Sequence, residues 1–432
     1  MKNETYRNYL VGVLLLVLAS NSVDRLALGL VMQDVKADLS LSDTQLGLLT
    51  GIAFALFYST MGIPIARWAD RGNRVTIIAM TTALWSAAVA LCGMAANFVQ
   101  LLLIRIGVAI GEAGCIPPAH SLIADYFNRA ERPAAIARYM LGGPLSVVIG
   151  FFLAGWLNEL YGWRITFILV GLPGIALAAL AWLTLREPRN DQQHSNAPEI
   201  VEDLSPGFGE VCATLGGSAT FRNLVVCFSV MAFFNYGIVQ WKPTFFIRSF
   251  GFQTGELGTW FAVIYGVGGV LGTYFGGAWA SRKAAHNEVL QLKATAVAFC
   301  GFAVVSALIY LSSDPYLAFA FMSIATVGSG AATGPLLATI QSLVPERMRA
   351  TSVALLYLSA NLVGMGLGPL AVGALSDAFR DLFGDESLRY ALLTLCPGYI
   401  WAAWHLWQAG KTVARDLQAM QMELARPAEG GF

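Results

Sequence analysis

Apolar residues in this chain occur in long runs separated by short polar stretches. A helix needs roughly 20 mainly apolar residues to cross the hydrocarbon core of a bilayer. Runs of this kind lie near residues 9–31, 44–66, 76–96, 99–126, 134–158, 164–185, 222–247, 256–280, 290–312, 316–343, 351–377 and 389–410. No stretch shows the ten-residue alternation of a membrane β-barrel. The pattern predicts an all-α membrane protein with twelve transmembrane helices.

The composition agrees with this prediction. Of 432 residues, 56% are hydrophobic and only 12% are charged, which is about half the charged share of an ordinary soluble domain. The formal net charge is zero, so charge gives no indication of a nucleic-acid partner. A bilayer is therefore the expected surroundings of most of the chain.

Basic residues are unequally divided between the predicted loops. If the N-terminus is cytoplasmic, eighteen Lys and Arg residues fall on the cytoplasmic side, and five fall outside: Lys36, Arg164, Arg248, Arg380 and Arg389. Basic loops favour the cytoplasmic side of a membrane. We therefore expect a multi-pass protein of the cell membrane with both termini in the cytoplasm.

A polar segment rich in Pro, Asn, Gln and acidic residues interrupts the pattern at 186–210, and the sequences on either side of it are alike. ARWADR at 66–71 returns as GAWASR at 277–282, and residues 122–137 align with 339–354. Two matches in equivalent loops indicate duplication, as in many transporters. The expected domains are an N-terminal six-helix bundle at 1–186, a cytoplasmic linker at 187–221, a C-terminal six-helix bundle at 222–411 and a cytoplasmic tail at 412–432.

A few charged residues fall inside the predicted helices: Asp24, Arg25, Arg105, Glu112 and Arg138. An Asp or Arg at mid-membrane costs about 2.5–3.5 kcal/mol on insertion scales, so such a residue is a candidate for function. Arg105 and Glu112 are seven residues apart and share one helix face, about 10 Å apart along the axis. At about 1.5 Å per residue from the predicted outer ends, Asp24 and Arg105 lie at similar depth and Glu112 lies deeper.

Asp24 and Arg25 point about 100° apart on a helix, which makes a self-contained pair the weaker explanation. We expect a network between predicted helices 1 and 4, with Asp24 facing Arg105 or Arg25 and Glu112 further down the same cavity. The proton affinity of carboxylates beside guanidinium groups depends on solvent access, so Asp24 and Glu112 are the predicted proton-coupling residues. A fixed network that only joins the two helices is the alternative, although buried ion pairs stabilise poorly.

Other polar and aromatic residues could complete a substrate cavity beside Arg25 and Arg105. An amphipathic lining suits a substrate with a polar head and an apolar body. The candidates are Asn21, Tyr58, Tyr139, Asn235, Tyr236, Gln240, Tyr357 and Asn361. It stays open whether His120 or Lys242 takes part in the site. The simpler interpretations are a hydrogen-bonded structural histidine and a lysine whose side chain extends to the membrane interface.

The segment ARWADRGNR, followed by Val75, resembles the loop motif of the major facilitator superfamily, Gly-x-Leu-Ala-Asp-Arg-x-Gly-Arg and a basic residue. The match centres on Asp70, Arg71 and Arg74, whereas four positions depart from the motif: Ala66, Trp68, Asn73 and Val75. Within the superfamily the details resemble the spinster group. The segments that carry this resemblance are DRGNR, NSVDR in helix 1, GEAGCIPPAHSLIADYF in helix 4, Trp-x-Pro at 241–243 and LREPR after helix 6.

The resemblance implies two pseudo-symmetric six-helix bundles in a bacterial inner membrane. It also implies a monomeric, proton-linked secondary transporter that works by alternating access on a lysolipid or sphingoid-type amphiphile. Organic-anion symporters of the superfamily likewise carry an Asp–Arg pair in helix 1 and an Arg and a Glu in helix 4. A proton-coupled symporter of small organic anions is therefore the alternative.

The loop motif also has a physical interpretation. Asp70 could accept hydrogen bonds from the N-terminus of a helix in the other half, while Arg71 and Arg74 sit among the acidic Asp125 and Glu131. Contacts that hold in one state and break in the other would form a conformational latch. For the arginines, the preference of basic residues for the cytoplasmic side is the alternative explanation.

Other function classes find little support in the sequence. The one GKT, at 410–412, has His405 where a phosphate-binding loop needs its first glycine. There is no HExxH motif, the four histidines are far apart, and the six cysteines show no CxxC spacing. The sequence thus predicts neither an enzyme nor a bound cofactor or metal. A membrane sensor that binds without transporting is the third hypothesis.

Overall fold

The computed structural model describes residues 4–189, 215–283, 287–343 and 348–425, and within these ranges the regular elements are helical, without strands. A π-helical turn at Asn361–Leu367 joins α13 to α14. The helices are α1 (Glu4–Leu39), α2 (Asp43–Thr50), α3 (Ile52–Arg71), α4 (Arg74–Cys92), α5 (Phe98–Glu112), α6 (Ile116–Tyr126), α7 (Arg132–Met140), α8 (Gly142–Thr184), α9 (Ala219–Phe250), α10 (Thr254–Lys283), α11 (Glu288–Leu311), α12 (Pro315–Ser342), α13 (Arg349–Ala360), α14 (Gly368–Ala378), α15 (Arg380–Phe383), α16 (Ser387–Leu395) and α17 (Gly398–Ala425).

The helices confirm the all-α membrane prediction. In the described residues, nine helical segments are long and apolar enough to cross a membrane. One of them, Arg132–Thr184, contains two predicted runs. The boundary between these runs is the break of α8 at Gly162, where φ is +78°. Glycine adopts this backbone conformation without steric cost. Each of the twelve predicted runs corresponds to one or two of these helices.

Some predicted runs are divided by a local break that their apolar composition conceals. Gly51 separates α2 from α3, and residues 113–115 separate α5 from α6, just before Pro117 and Pro118. Proline lacks a backbone N–H group and crowds the preceding turn, so it favours the start of a helix over its interior. The break after Glu112 ends α5 at a residue of the predicted charge network.

The described residues form two compact units. The first contains the described parts of 1–199, 237–266 and 369–388, and the second contains those of 200–236, 267–368 and 389–432. The first unit therefore holds α1 to α8, the parts of α9 and α10 next to the loop at 251–253, and most of α14. Most of the predicted linker and the end of the predicted tail lie outside the described residues. The two six-helix halves stay a prediction.

Small residues bring helices of the first unit close together. A Cβ atom on Gly171 of α8 would lie 2.6 Å from the carbonyl oxygen of Ser86 in α4, and one on Gly111 of α5 would lie 2.7 Å from the backbone nitrogen of Trp85. Close backbone approach through small residues is a usual way for membrane helices to pack. Residues 105–112 of α5 are thereby held against α4.

In the second unit, polar side chains fix the start of α9. The carboxylate of Asp416 in α17 accepts hydrogen bonds from the Thr220 backbone N–H (3.0 Å) and the Ser218 hydroxyl (2.8 Å). The side-chain oxygen of Asn223 lies 2.9 Å from Nδ1 of His405. An acidic residue at a helix N-terminus satisfies otherwise unpaired N–H groups.

Candidate functional site

Two ion pairs join α1 to α5 inside the first unit. The guanidinium of Arg105 donates to Asp24, with Nη1 2.6 Å from Oδ2, and Nη2 of Arg25 lies 2.7 Å from Oε2 of Glu112. The first contact is a hydrogen-bonded pair, whereas the second is an ionic contact without good hydrogen-bond alignment. The predicted cross-helix network is therefore present, and Asp24 faces Arg105.

The four residues differ in exposure. Asp24, Arg105 and Glu112 are each at most 1% exposed, but 21% of the Arg25 side chain is accessible. Oδ1 of Asp24 and Oε1 of Glu112 are buried, and neither receives a hydrogen bond from a described residue. Buried polar atoms are nearly always paired. The carboxyl oxygens of this network are therefore not all satisfied by hydrogen bonds from the described residues, and the proton-coupling role of Asp24 and Glu112 stays a prediction.

Aromatic rings border the network. The guanidinium carbon of Arg25 lies 5.0 Å from the ring centre of Phe54 in α3, and that of Arg105 lies 5.3 Å from the same ring. Arg25 also lies 5.5 Å from the ring of Tyr58 and receives support from Asn21, whose side-chain oxygen is 3.3 Å from Nη2. Cation–π contacts of this length stabilise a guanidinium at low solvent exposure. Asn21 and Tyr58 thus lie beside the network as predicted.

Tyr139 and His120 lie in a separate packing cluster. Tyr139 is fully buried, its hydroxyl is 3.9 Å from the sulfur of Cys115, and its ring meets that of His120 edge-on at 5.5 Å. These contacts resemble core packing more than the lining of a substrate cavity. A binding role for Tyr139 stays a prediction.

Of the other predicted lining residues, Gln240 donates to the backbone oxygen of Arg25 at 3.3 Å, and the rest lie outside the first unit. Asn235, Tyr236 and Asn361 belong to the second unit, where Tyr236 is 44% exposed. Lys242 is only 8% exposed and donates to the hydroxyl of Tyr265 at 3.2 Å, so its side chain is buried rather than extended to the interface. The role of these residues in substrate binding stays a prediction.

Arg74, one of the predicted latch residues, lies in a buried cluster at the other end of the first unit. Its guanidinium is fully buried and contacts the carboxylates of Glu187 and Asp125, the latter at 2.6 Å. It also donates to the backbone oxygen and the hydroxyl of Ser121, each at 3.1 Å. This cluster ties α4, α6 and the segment after α8 together, and the latch role of Arg74 stays a prediction.

Asp70 and Arg71 differ from Arg74. Both are exposed, and among the described residues no hydrogen bond or ion pair of either side chain is found. Only the backbone oxygen of Asp70 is engaged, by Arg189 at 2.8 Å. Glu131 pairs with Arg7 instead of a loop arginine. The latch role of Asp70 and Arg71 stays a prediction.

Glu187 holds a depressed pKa in this cluster. Burial alone raises the pKa of the Glu187 carboxyl, but hydrogen bonds from the Arg74 side chain and from the backbone N–H groups of Arg189 and Arg74 hold it below its usual range. The carboxylate is thus charged whenever the protein is folded at neutral pH. Its contribution to stability must disappear in acid.

We expect Glu187→Gln to lower the free energy of unfolding by about 2 kcal/mol at pH 7, less than for a wholly unpaired buried charge because Asp125 remains. The wild-type contribution is complete above the ordinary carboxyl pKa of about 4.3 and is lost as the pH falls through the depressed value. The advantage of wild type in melting temperature should therefore shrink between pH 7 and pH 3. Glu131→Gln, at an exposed ion pair, is the control, and an advantage that persists at pH 3 would contradict the assignment.

Sequence reasoning missed two residues of these clusters and one of the ion pairs. Glu187 stands in the quoted LREPR segment, where an acid directly after a basic residue was the available signal. Phe54 gave no signal, because an aromatic residue in an apolar run is ordinary. The pairing of Arg25 with Glu112 depends on how the helices rotate about their axes, which residue spacing does not fix.

A sequence profile of the Major Facilitator Superfamily matches residues 14–403. An MFS-type efflux pump of Mycolicibacterium smegmatis is 32% identical over 408 residues, which cover 94% of this chain and 93% of that protein. A hexuronate transporter of Bacillus subtilis is 26% identical over 393 residues, which cover 85% and 86%. Both similarities extend over most of each chain.

A solved structure is also similar. It is that of a bacterial homologue of the human lysosomal transporter spinster, in an inward-facing and unoccupied conformation. The TM-score is 0.86 at 30% sequence identity, and the match covers 96% of this chain and 99% of that one. The fold agrees over nearly the full length of both chains.

Proposed function

This chain belongs to the major facilitator superfamily and is spinster-like, a membrane transporter and not an enzyme; from that premise we propose that it is a proton-linked secondary transporter for a lysolipid or sphingoid-type amphiphile. It works by alternating access, as a monomer in a bacterial inner membrane with both termini in the cytoplasm. Bacterial relatives and the excess of basic residues in the predicted cytoplasmic loops support this placement.

The observation that carries the proposal is the Arg25–Glu112 contact. Glu112 is wholly buried, neither of its carboxyl oxygens receives a hydrogen bond from a described residue, and its ionic partner Arg25 is partly accessible. Protonation of Glu112 removes the charge that holds Arg25. The freed guanidinium can then bind an anionic group of the substrate, so proton and substrate occupy the site together.

Asp24 and Arg105 have the complementary role. Both are buried, and their hydrogen bond of 2.6 Å keeps Arg105 from competing for the substrate anion. The second buried oxygen of Asp24 makes this acid a further site for a proton. The proposal therefore assigns proton coupling to Glu112 and Asp24, and substrate contact to Arg25.

Aromatic rings beside Arg25 support an amphiphilic substrate. Phe54 and Tyr58 stack at 5.7 Å, and Tyr58 is half-buried, so the accessible guanidinium lies next to an apolar surface. An anionic head would contact Arg25 while an apolar body covers the accessible part of the Tyr58 ring, which the buried Phe54 ring supports from behind.

A small organic anion is the second candidate. The hexuronate transporter of Bacillus subtilis supports it, because a hexuronate is a carboxylate without an apolar tail. Arg25 could bind such a carboxylate bidentately. The two candidates differ in whether the apolar body adds affinity.

A thermal-shift series on the purified transporter separates the candidates. We expect a lysophospholipid to raise the melting temperature and glucuronate at the same free concentration to leave it unchanged, because ligands stabilise in proportion to their occupancy. Arg25→Gln should remove the shift, whereas Arg164→Gln, at an exposed ion pair with Asp38, should retain it. A shift with glucuronate alone would favour the organic-anion candidate. Shifts with binding but no uptake into proteoliposomes would favour a sensor.

A further inference from the structure

One end of the first unit carries the loops at 40–42 and 251–253. We call it the outer end, because the distribution of basic residues predicts that it faces away from the cytoplasm. Asp377 caps a helix at this end. Its carboxylate accepts hydrogen bonds from the backbone N–H groups of Asp43 (3.1 Å) and Thr44 (2.7 Å) and from the Thr44 hydroxyl (2.6 Å). Asp377 lies at the end of α14, and Asp43 begins α2. One carboxylate therefore holds two helices that are more than 300 positions apart in sequence.

Glu159 makes the corresponding contact on another pair of helices. Its Oε2 atom accepts from the backbone N–H of Gly255 at 2.8 Å, in the first turn of α10. Beside it, Nδ2 of Asn158 donates to the hydroxyl of Thr254 at 3.2 Å, as the Ser376 hydroxyl donates to Asp43 at 2.7 Å. Both helix starts are thus capped by an acid from a different helix.

Glycines let the same helix pairs touch. A Cβ atom on Gly373 would lie 2.2 Å from the backbone oxygen of Asp43, and one on Gly155 would lie 2.4 Å from that of Thr254. In the reverse direction, a Cβ on Gly47 would lie 2.5 Å from the Pro369 oxygen, and one on Gly258 would lie 2.3 Å from the Phe151 oxygen. Each pair therefore meets backbone to backbone at two points.

These contacts follow the internal repeat. The ranges 43–47 and 254–258 are related by a shift of 211, the same shift that relates 66–71 to 277–282. The ranges 151–159 and 369–377 are related by a shift of 218, one residue from the shift that relates 122–137 to 339–354. The two capping acids, the capped N–H groups of Thr44 and Gly255 and the contacting glycines therefore correspond, whereas the capped N–H group of Asp43 has no capped counterpart at Thr254.

The two copies differ in charge. At the first, the Asp43 carboxylate is wholly buried and bound by both terminal nitrogens of Arg248, each at 2.7 Å, and by Lys36 at 2.5 Å. At the second, the residue in place of Asp43 is Thr254, and its neighbour Asn158 contacts Asp34 of α1. The first copy is a cluster of paired opposite charges, whereas the second is built from hydrogen bonds, with the carboxylates of Asp34 and Glu159 as acceptors.

We infer that Asp377 and Glu159 form a two-part latch that holds the outer end closed. The inference rests on the proposed alternating access. For the outer end to open, α14 must leave α2, and the 151–159 part of α8 must leave α10. On each pair of helices, the cap and the two glycine contacts then break together, because they lie on the same two facing surfaces.

Spin labels at two exposed sites measure the opening directly. Labels replace Ser40 and Leu382 in a background without native cysteines, and electron paramagnetic resonance gives the distribution of distances between them. We expect Asp377→Asn to raise the population of the longer distance about fivefold, the effect of losing a good helix cap. Labels at Leu160 and Gln253 should show the same change for Glu159→Gln.

Matched controls and a second kind of variant keep the test decisive. Asp385→Asn changes an exposed acid on the segment that follows α14, and Glu256→Gln changes an acid in the first turn of α10, so both should leave the distances unchanged. Gly373→Ala should open the outer end without changing any charge. Wild-type distances in Asp377→Asn, Glu159→Gln and Gly373→Ala, or equal shifts in the controls, would overturn the inference that these contacts hold the outer end closed.

A disulfide provides the opposite perturbation. Thr44→Cys together with Asp377→Cys, oxidised, should stop substrate uptake into proteoliposomes, and a reducing agent should restore it. Undiminished uptake by the cross-linked protein would also overturn the latch. If the wild type shows no uptake at all, the proposed function fails, while the distance measurements still decide whether the latch exists.

Discussion

Glu112→Gln should reduce proton-driven substrate uptake about 100-fold, the effect expected when an intramembrane charge worth roughly 2.5–3.5 kcal/mol no longer changes during the cycle. Glutamine has nearly the same shape as protonated glutamate and cannot lose a proton. The ionic contact of 2.7 Å between Arg25 and residue 112 is then lost, and the Arg25 guanidinium stays accessible to the substrate. The variant should therefore bind substrate at least as well as wild type.

Two measurements on the same proteoliposomes separate coupling from binding. Uptake driven by a pH gradient should be lost, whereas exchange of labelled for unlabelled substrate across the membrane should persist, because exchange requires no net proton movement. Glu131→Gln, at the exposed pair with Arg7, changes the same group outside the network and should behave like wild type. Wild-type response of Glu112→Gln to the gradient would remove Glu112 from proton coupling.

The second large effect concerns stability. Arg105→Met should lower the free energy of unfolding by about 3–5 kcal/mol, because it leaves the buried carboxylate of Asp24 without its partner. Asp24→Asn combined with Arg105→Met should recover most of that loss, since no unpaired charge then remains. Thermal unfolding of the single and double variants in detergent gives the coupling free energy directly.

An exposed ion pair is the control for this cycle. Arg164 and Asp38, with side chains 39% and 46% exposed, should show a coupling below about 1 kcal/mol. Equal losses at the two pairs would mean that the Asp24–Arg105 contact is not a buried pair in the membrane. If Asp24→Asn alone retains the pH dependence of uptake, the proton role belongs to Glu112 and the Asp24–Arg105 pair is structural.

Depth within a helix could be predicted from the sequence, but rotation about the helix axis could not. Asp24 and Arg105 were placed at one level because every helical residue advances by about 1.5 Å, and the structure pairs them. The partner of Glu112 is Arg25, which depends on how α1 and α5 turn and cross. Apolar packing sets that arrangement, and many sequences satisfy it equally well.

The helix breaks and the buried cluster show the same limit. Each apolar run corresponds to one or two helices of the described residues, but the runs concealed breaks such as the one at Gly51, because composition does not change there. Arg74 was singled out from its motif, yet its partner Glu187 follows α8, more than 100 positions later. Contacts over such separations are decided by the fold as a whole.

Phe54 has a consequence for how tightly protons and cargo are linked. Both guanidinium groups of the network lie over this one ring, each beside its own acid. If Arg25 and Arg105 could exchange partners, a carboxyl could reload without cargo and protons would leak down their gradient. We expect a bulky, uncharged ring next to both groups to restrict that exchange. Under the proposed proton coupling, the energetic efficiency of transport would then depend in part on a side chain that neither carries a charge nor binds a proton.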